Sequence, residues 1–272
     1  MSGPEPLSIA IAGLGAIGSG MLAEIARSES RIRIAAVSAR DEEKARSTLR
    51  AAAIDCRILP LEQLPQAADL VVECLPAAAF DRIADATLAA GKGLMVLSVG
   101  QLARRDDLIP AFRARNQRLI VPTGAILGLD VVRALSRGEV TAARIVTRKG
   151  PAGLAGAPYL VARGIETLAL REPTLVFAGP TREAIKGFPA NVNVAVALSL
   201  AGIGVDRTQC DIWVDPTETA NVHTIELDAA GTTVSMTIRG RPDPANPRTS
   251  QMTALSAVDA LRRLADPIWI GS

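Results

Sequence analysis

Histidine and tyrosine occur only once each in this chain of 272 residues, and cysteine occurs three times. The cysteines, Cys56, Cys74 and Cys210, are far apart, and His223 has no second histidine to accompany it, so a zinc site is excluded. The same spacing excludes the disulfide framework of a small secreted protein. We therefore expect free thiols, no bound metal and a reducing, cytoplasmic location.

Long apolar segments and runs of one charge are also missing. No stretch approaches the roughly 20 uninterrupted apolar residues that a membrane span needs, and residues 1–7 lack the cationic start and apolar run of a signal peptide. The net charge is only +2, with basic residues scattered among acidic ones. Nothing here favours a nucleic acid or a membrane surface as partner, and we expect a small-molecule ligand.

Aromatic residues make up only 3% of the chain, whereas apolar residues make up 49%, a composition typical of short strands covered by alanine-rich helices. Apolar runs alternate with helical patterns from the start, first at residues 7–12 and 16–27. Asp41 is predicted to cap a further helix. The alternation predicts an α/β fold, with a doubly wound parallel sheet of the Rossmann type over residues 1–123.

Residues 124–248 show a different pattern, which predicts a second, α+β domain with a mostly antiparallel sheet. A helix is expected over residues 191–201, and residues 150–158, with three glycines and two prolines, are expected to form a loop that could act as a lid. Residues 249–272 contain an amphipathic helix that we expect to pack back on the first domain. The predicted strands of the second domain are residues 141–149, 174–178, 210–214, 222–228 and 232–239.

A glycine-rich segment directly follows the first predicted strand, with Gly13, Gly15 and Gly18 spaced as Gly-x-Gly-x-x-Gly. In such a turn the first glycine permits the bend, the second lets the backbone approach a pyrophosphate and the third lets helix and strand pack closely. The helix that begins here would offer the backbone amides of Ala16 and Ile17 to that pyrophosphate. This context predicts a bound dinucleotide rather than a mere packing turn.

The end of the second predicted strand carries no carboxylate, although an acidic residue commonly binds the ribose of NAD there. Ser38 and Arg40 lie at this position instead. A hydroxyl and a guanidinium suit the 2′-phosphate of NADP better than a free 2′-hydroxyl. Asp41 could instead bind the ribose one residue later, so NADP and NAD both stand as candidate cofactors, with NADP favoured.

His223 is the one side chain in this chain whose ordinary pKa lies near physiological pH, which makes it the candidate for moving a proton. A lone histidine is also frequently structural. Asn191 and Asn193 precede it at the start of an apolar helical segment, where one could cap the helix and the other could point into a cleft. A dinucleotide loop followed by this histidine favours an oxidoreductase.

Together these segments resemble the L-aspartate dehydrogenase family, and the resemblance extends over nearly the whole chain. The chain departs from the usual family pattern at Leu127-Gly128, where two glycines are common, and at Gly150, where two prolines often begin. The segments that match are residues 13–18, 122–126, 147–149, 186–195, 198–204, 206–208, 215–216 and 221–223.

The resemblance implies oxidative deamination of L-aspartate to oxaloacetate and ammonia through iminoaspartate, and the reverse reductive amination. It implies that His223 is the acid and base, and that Ala125 with Asn191 or Asn193 contacts the cofactor near its nicotinamide. It also implies a homodimer or a higher oligomer formed through the second domain.

The substrate carries two carboxylates, which need cationic or hydrogen-bonding partners. We expect Arg148 and Lys149 to supply the positive charge, because a guanidinium binds a carboxylate bidentately, and we expect further contacts from Thr123 and Gly124. A solvated strand end is the alternative for the two basic residues.

Two other functions stay open from the sequence. One is a related NAD(P)-dependent reductase that acts on another imine or on an aldehyde, as homoserine dehydrogenase does. The other is a dinucleotide-sensing module without catalysis. The enzyme interpretation is favoured because a sensor gives no reason for the asparagine residues and the histidine.

Overall fold

Six parallel strands form the first sheet, in the order β3-β2-β1-β4-β5-β6. The computed structural model describes residues 5–28, 31–243, 246–250, 252–268 and 270. The strands are β1 (Leu7–Ala12), β2 (Ile32–Ser38), β3 (Arg57–Ile58), β4 (Leu70–Glu73), β5 (Gly93–Val96) and β6 (Leu119–Ile120). The helices are α1 (Ala16–Arg27), α2 (Glu42–Ala51), α3 (Leu64–Ala67), α4 (Phe80–Ala89) and α5 (Leu108–Ala114). The predicted Rossmann-type sheet is confirmed, and its strand order reverses between β1 and β4, where such folds bind ligands.

The strands of this sheet are continuous apolar runs in the sequence because their side chains are buried on both faces. Ile9 and Ile11 of β1 are fully buried, and Leu22 of α1 packs in the same cluster. Both faces are covered, as parallel sheets require. The helix α11 (Met252–Ala265) contributes Leu261 to this cluster, so the C-terminal segment belongs to the first unit.

The chain divides into two units, one of Met1–Pro122 with Thr253–Ser272 and one of Thr123–Met252. The boundaries predicted from the sequence are 123/124 and 248/249. No helix in the described ranges is both long and apolar enough to cross a membrane.

The second unit contains a five-stranded sheet in the order β11-β10-β7-β9-β8, in which only the β7–β9 pair is parallel among the described strands. The mostly antiparallel sheet is therefore confirmed. Its strands are β7 (Val140–Lys149), β8 (Thr174–Pro180), β9 (Gln209–Val214), β10 (Asn221–Ala229) and β11 (Thr232–Gly240). Its helices are α6 (Leu129–Leu135), α7 (Pro151–Leu154), α8 (Pro158–Ala162), α9 (Thr181–Gly187) and α10 (Asn193–Ala201), and β12 (Pro242–Asp243) pairs with β13 (Asn246–Ser250).

Alternation along β10 separates the two faces of this sheet. Ile225 and Leu227 are buried, whereas Glu226 and Asp228 between them are exposed. Side chains two residues apart share a face in a strand, so the buried face also receives His223. The opposite face of β10 carries Thr224, Glu226 and Asp228 after the buried Val222.

The structure differs from the sequence-based prediction at four places in the second unit. The helix expected from residue 191 begins at Asn193, and the segment predicted as a loop, residues 150–158, contains the helix α7 and the first residue of α8. Proline at the first helical position explains both short helices, since its missing amide hydrogen is not needed there. The helices α6 and α9 were not predicted.

Candidate active site

The glycine-rich turn between β1 and α1 contains two glycines that the protein itself requires. Gly13 has φ +98°, and a Cβ atom there would lie 2.7 Å from the carbonyl oxygen of Cys74. A Cβ atom on Gly18 would collide with the carbonyl oxygen of Gly13. Gly15 differs, because no described atom lies within 4 Å of the Cβ position there. Its open side is the room that a pyrophosphate needs, so the turn fits a dinucleotide.

The first turn of α1 is also suited to an anion. Gly15 is the N-cap and offers no side chain, and the first turn contains no acidic residue. The amides of Ala16 and Ile17 lie at this N-terminus, where backbone N–H groups lack partners within the helix. The dinucleotide-binding residues predicted in this turn therefore lie together, and their contact with a cofactor stays a prediction.

The end of β2 lies beside this turn, because the amide of Gly13 donates to the carbonyl oxygen of Ser38 at 2.9 Å. Arg40 is exposed, and no described residue forms an ion pair with it. Asp41 is the N-cap of α2, as predicted, and its carboxylate accepts from the amide of Lys44 at 2.9 Å. One oxygen of this carboxylate is thus engaged in capping α2, and the preference between NAD and NADP stays a prediction.

Glu73 at the end of β4 is a buried carboxyl group that sequence reasoning missed. It accepts from the amide of Leu75 at 2.7 Å and from the amide and hydroxyl of Ser98 at 3.0 Å each. Burial raises the pKa of this carboxyl despite those hydrogen bonds. Glu73 therefore ties together the loops that follow β4 and β5 at the switch point. A glutamate inside the apolar run of residues 70–74 was the signal.

A cluster of five polar residues lies at one end of the buried face of the second sheet, and we call it the polar cluster. His223 and Lys149 are each only 4% exposed. The His223 Nδ1 atom lies 3.0 Å from the Thr147 hydroxyl on the neighbouring strand, and Lys149 Nζ donates to Asn191 Oδ1 at 3.0 Å. Asn221 is the fifth member, two residues before His223 on β10.

The imidazole of His223 is held in its neutral form. Burial, and secondly the positive charge of Lys149, lower the pKa of His223 from 6.5 to about 3. With Nδ1 occupied by Thr147, Nε2 is the nitrogen left for a proton transfer. Thr147 was not singled out as a site residue from the sequence, because its role depends on a partner 76 residues away.

Arg148 does not join the polar cluster. Successive side chains on a strand point to opposite faces, so Arg148 lies on the other face from Thr147 and Lys149. Its guanidinium donates to Asp215 at 3.0 Å and stacks 4.9 Å from the ring centroid of Trp213. These contacts already compensate its charge. Lys149 is the one of the two basic residues that lies with His223, and the substrate contacts expected of both stay predictions.

Three other predicted residues belong to a separate turn. Thr123, Gly124 and Ala125 form a turn at the start of the second unit, and Gly124 has φ +66°. No described hydrogen bond joins this turn to the polar cluster, so the contacts expected of its three residues stay predictions. The N-cap of α10 is Val192 without a side-chain bond, which makes the predicted asparagine cap wrong.

Asn193 is the first residue of α10 and is exposed. Asn191 is thus the asparagine that the structure brings to Lys149. Among the described residues, no group of histidine, cysteine, aspartate or glutamate side chains is arranged to hold a metal ion.

Two family models match this chain. One is described as the C-terminal part of aspartate dehydrogenase and matches residues 130–264. The other is described as the NAD-binding domain of homoserine dehydrogenase and matches residues 13–122. The two matches cover most of the two units.

Similar proteins span the whole length of the chain. L-aspartate dehydrogenase 3 of Bordetella bronchiseptica is 43% identical over 100% of both chains. The L-aspartate dehydrogenase of Bradyrhizobium diazoefficiens is 45% identical over 98% of this chain and 94% of its own. Among solved structures, aspartate dehydrogenase from Thermotoga maritima superposes with a TM-score of 0.72 at 25% identity, covering 97% of this chain and 99% of the other.

Proposed function

The chain belongs to the aspartate dehydrogenase family, and we propose that the polar cluster of its second unit is where the substrate reacts. The activity is the NAD(P)-dependent oxidation of L-aspartate at the carbon that carries the amino group. Aspartate, water and NAD(P)⁺ give oxaloacetate, ammonia, NAD(P)H and a proton, through iminoaspartate. The two units would divide this work between binding the cofactor and binding the substrate.

The first unit would hold the cofactor, which, when bound, accepts the hydride from the substrate Cα. Gly15 leaves room for the pyrophosphate, and the amides of Ala16 and Ile17 would donate to it. Arg40 would pair with a 2′-phosphate, since Asp41 is engaged in capping α2. The cofactor is NAD or NADP, and we propose a preference for NADP.

Lys149 would hold a carboxylate of the substrate. Its ammonium is buried on the same face of the sheet as His223, and a cation in that place would form charge-assisted hydrogen bonds with an anionic ligand. The substrate carries two carboxylates, and their arrival would offset the positive charge of Lys149 that contributes to lowering the pKa of His223. The pKa of His223 would then rise toward its ordinary range, because a nearby negative charge favours the protonated imidazole.

His223 would move the protons. A neutral imidazole can accept a proton at Nε2 from the substrate ammonium before oxidation, or from the water that attacks iminoaspartate afterwards. Thr147 would hold the ring by Nδ1 and so keep Nε2 directed at the substrate. In the reductive direction His223 would donate that proton instead.

The observation that carries this proposal is that His223 and Lys149 are both buried on the same face of the sheet. Steady-state kinetics of two neighbouring variants test it. Lys149→Met should raise the KM for aspartate about 10–100-fold, the usual effect of losing a hydrogen bond to a charged group. Arg148→Met, one residue away on the other face, is the matched control and should leave that KM nearly unchanged.

His223→Ala completes the test, with kcat expected to fall by roughly 10²–10⁴-fold and NADP(H) affinity unchanged. Equal effects of the two variants at positions 148 and 149 would contradict the assignment of Lys149. Near-full turnover by His223→Ala would contradict the catalytic role of the histidine. Turnover of homoserine in preference to aspartate would show that the site serves a different substrate.

We also propose a homo-oligomer formed through the second unit and a cytoplasmic location. The family resemblance supports the first. Three free cysteines support the second, because thiols persist in reducing compartments.

A further inference from the structure

Asn221 is a buried polar residue that the roles above do not use. It is the first residue of β10 and is 6% exposed. Its side chain shares the buried face with His223, because the two residues are two positions apart on one strand. Their Cα atoms are therefore separated by roughly 7 Å along the strand.

Lys149 lies next to Asn221 on the neighbouring strand. Antiparallel pairing of β7 and β10 runs up to Arg148 and Val222, so Lys149 and Asn221 are the residues immediately beyond the last pair. Both point to the same face as His223. The end of the sheet thus carries a cation and an amide side by side.

The side chain of Asn221 is not used inside the protein. No residue in the described ranges forms a hydrogen bond with it, and its amide atoms are not among the fully enclosed atoms that lack a partner. The residue paired with Asn221 on β11 is Gly240, which adds no side chain beside it. A largely buried amide that no other residue engages, next to a cation, is suited to a ligand.

We propose that Asn221 is a substrate-binding residue that, with Lys149, holds the carboxylate of the substrate farther from the reacting carbon. This inference rests on the proposed function of Lys149 and His223. His223 works at the nitrogen and at the reacting carbon, whereas Asn221 and Lys149 lie farther along the strands. A molecule that contacts both His223 and the Asn221–Lys149 end of the strands must carry a second polar group away from its reacting carbon, as a four-carbon dicarboxylate does.

The amide fits this role chemically. Its N–H groups would donate to a carboxylate oxygen while Lys149 supplies the charge, and such charge-assisted hydrogen bonds are the stronger kind. Asn221 would thereby contribute to the choice of a dicarboxylic over a monocarboxylic amino acid. A monocarboxylic substrate would leave the buried amide unpaired, which penalises its binding.

Inhibition of aspartate oxidation by succinate and by butyrate tests this role, because the two acids have the same carbon chain and differ by one carboxylate. Asn221→Ala should raise the KM for aspartate and the Ki of succinate about 10–100-fold, leaving the Ki of butyrate and the Kd of NADPH unchanged. Thr224→Val, on the exposed face of the same strand, is the matched control and should change none of these constants.

Asn221→Asp serves as a second variant of nearly the same shape if Asn221→Ala does not fold. Its carboxylate should repel the substrate and raise the same KM and the same Ki of succinate. Equal changes for succinate and butyrate, or unchanged constants, would overturn the role of Asn221. If Lys149→Met raises the KM while both Asn221 variants leave it unchanged, only this inference fails. If Lys149→Met has no effect, the proposed function fails with it.

Discussion

Single residues of the polar cluster show how burial sets chemistry. His223 and Lys149 are equally buried, yet the histidine is the one that gives up its charge, because a neutral imidazole is available near neutral pH. The folded-state pKa of about 3 lies below the ordinary value of 6.5. His223 is therefore neutral at physiological pH in the free protein, and a bound anion beside it would favour the protonated ring.

Nuclear magnetic resonance can follow this directly, because the chain contains one histidine and its ring gives one set of signals. We expect no titration of the His223 ring between pH 8 and pH 5 in the free protein, since both causes of the shift favour the neutral ring. Lys149→Met should raise the midpoint, and so should saturating succinate, whereas Arg148→Met should not. A midpoint near 6.5 in the unliganded, unmodified protein would contradict the burial argument.

One of the two departures from the family pattern has an explanation at a single residue. A Cβ atom at Gly150 would lie 2.6 Å from the carbonyl oxygen of Glu218, so this chain has no room for a proline there. The other departure is Leu127, which is 37% exposed, and nothing in the structure explains it. Gly128 beside it keeps the second glycine of the family pattern, and its φ of +73° requires a glycine.

Individual elements determine which residues can act together. The strand β7 places Thr147 and Lys149 on the buried face and Arg148 on the opposite one, although the three are consecutive. The helix α2 engages Asp41 at its N-terminus and leaves Arg40 exposed beside the end of β2. Lys149 and Arg40 are thus candidates for binding a ligand, whereas their neighbours Arg148 and Asp41 form contacts within the protein.

Cofactor choice is the property that the turn between β2 and α2 should determine. Arg40→Ala should weaken NADP(H) about 10–100-fold and leave NAD(H) nearly unchanged, because only NADP carries the phosphate that the guanidinium would bind. Fluorescence titration with both reduced cofactors measures this. Arg50→Ala, in the last turn of α2, controls for the loss of one positive charge. Equal losses for both cofactors would mean that Arg40 supports the turn and does not select the cofactor.

At the scale of the whole molecule, the first unit is assembled from two segments that the second unit separates in sequence. The helix α11 buries Ala257, Val258 and Leu261 in the cluster built by β1 and α1. The dinucleotide-binding unit therefore needs residues from both segments, and damage to α11 should reach the unit that holds the cofactor.

Two leucines of α11 provide the test. Leu261 is fully buried and Leu255 is 51% exposed. Leu261→Ala should lower the free energy of unfolding by about 2–5 kcal/mol, since it removes buried methyl groups and leaves a cavity. Leu255→Ala should change it by no more than about 0.5 kcal/mol. Urea unfolding of the two variants compares them, and similar values would show that α11 adds little to the stability of the first unit.

The sequence by itself determined the Rossmann-type sheet, the dinucleotide turn, the Asp41 cap and the family. These depend on periodicity and on contiguous residues, which a single chain displays directly. Only the tertiary structure decided that Lys149 and not Arg148 lies with His223, and that Asn221 and Thr147 join them. Thr147 and His223 are 76 residues apart in the chain. They meet in the polar cluster because their strands are neighbours in the sheet. A shift of one residue in that pairing would reverse the faces, so local patterns could not decide it.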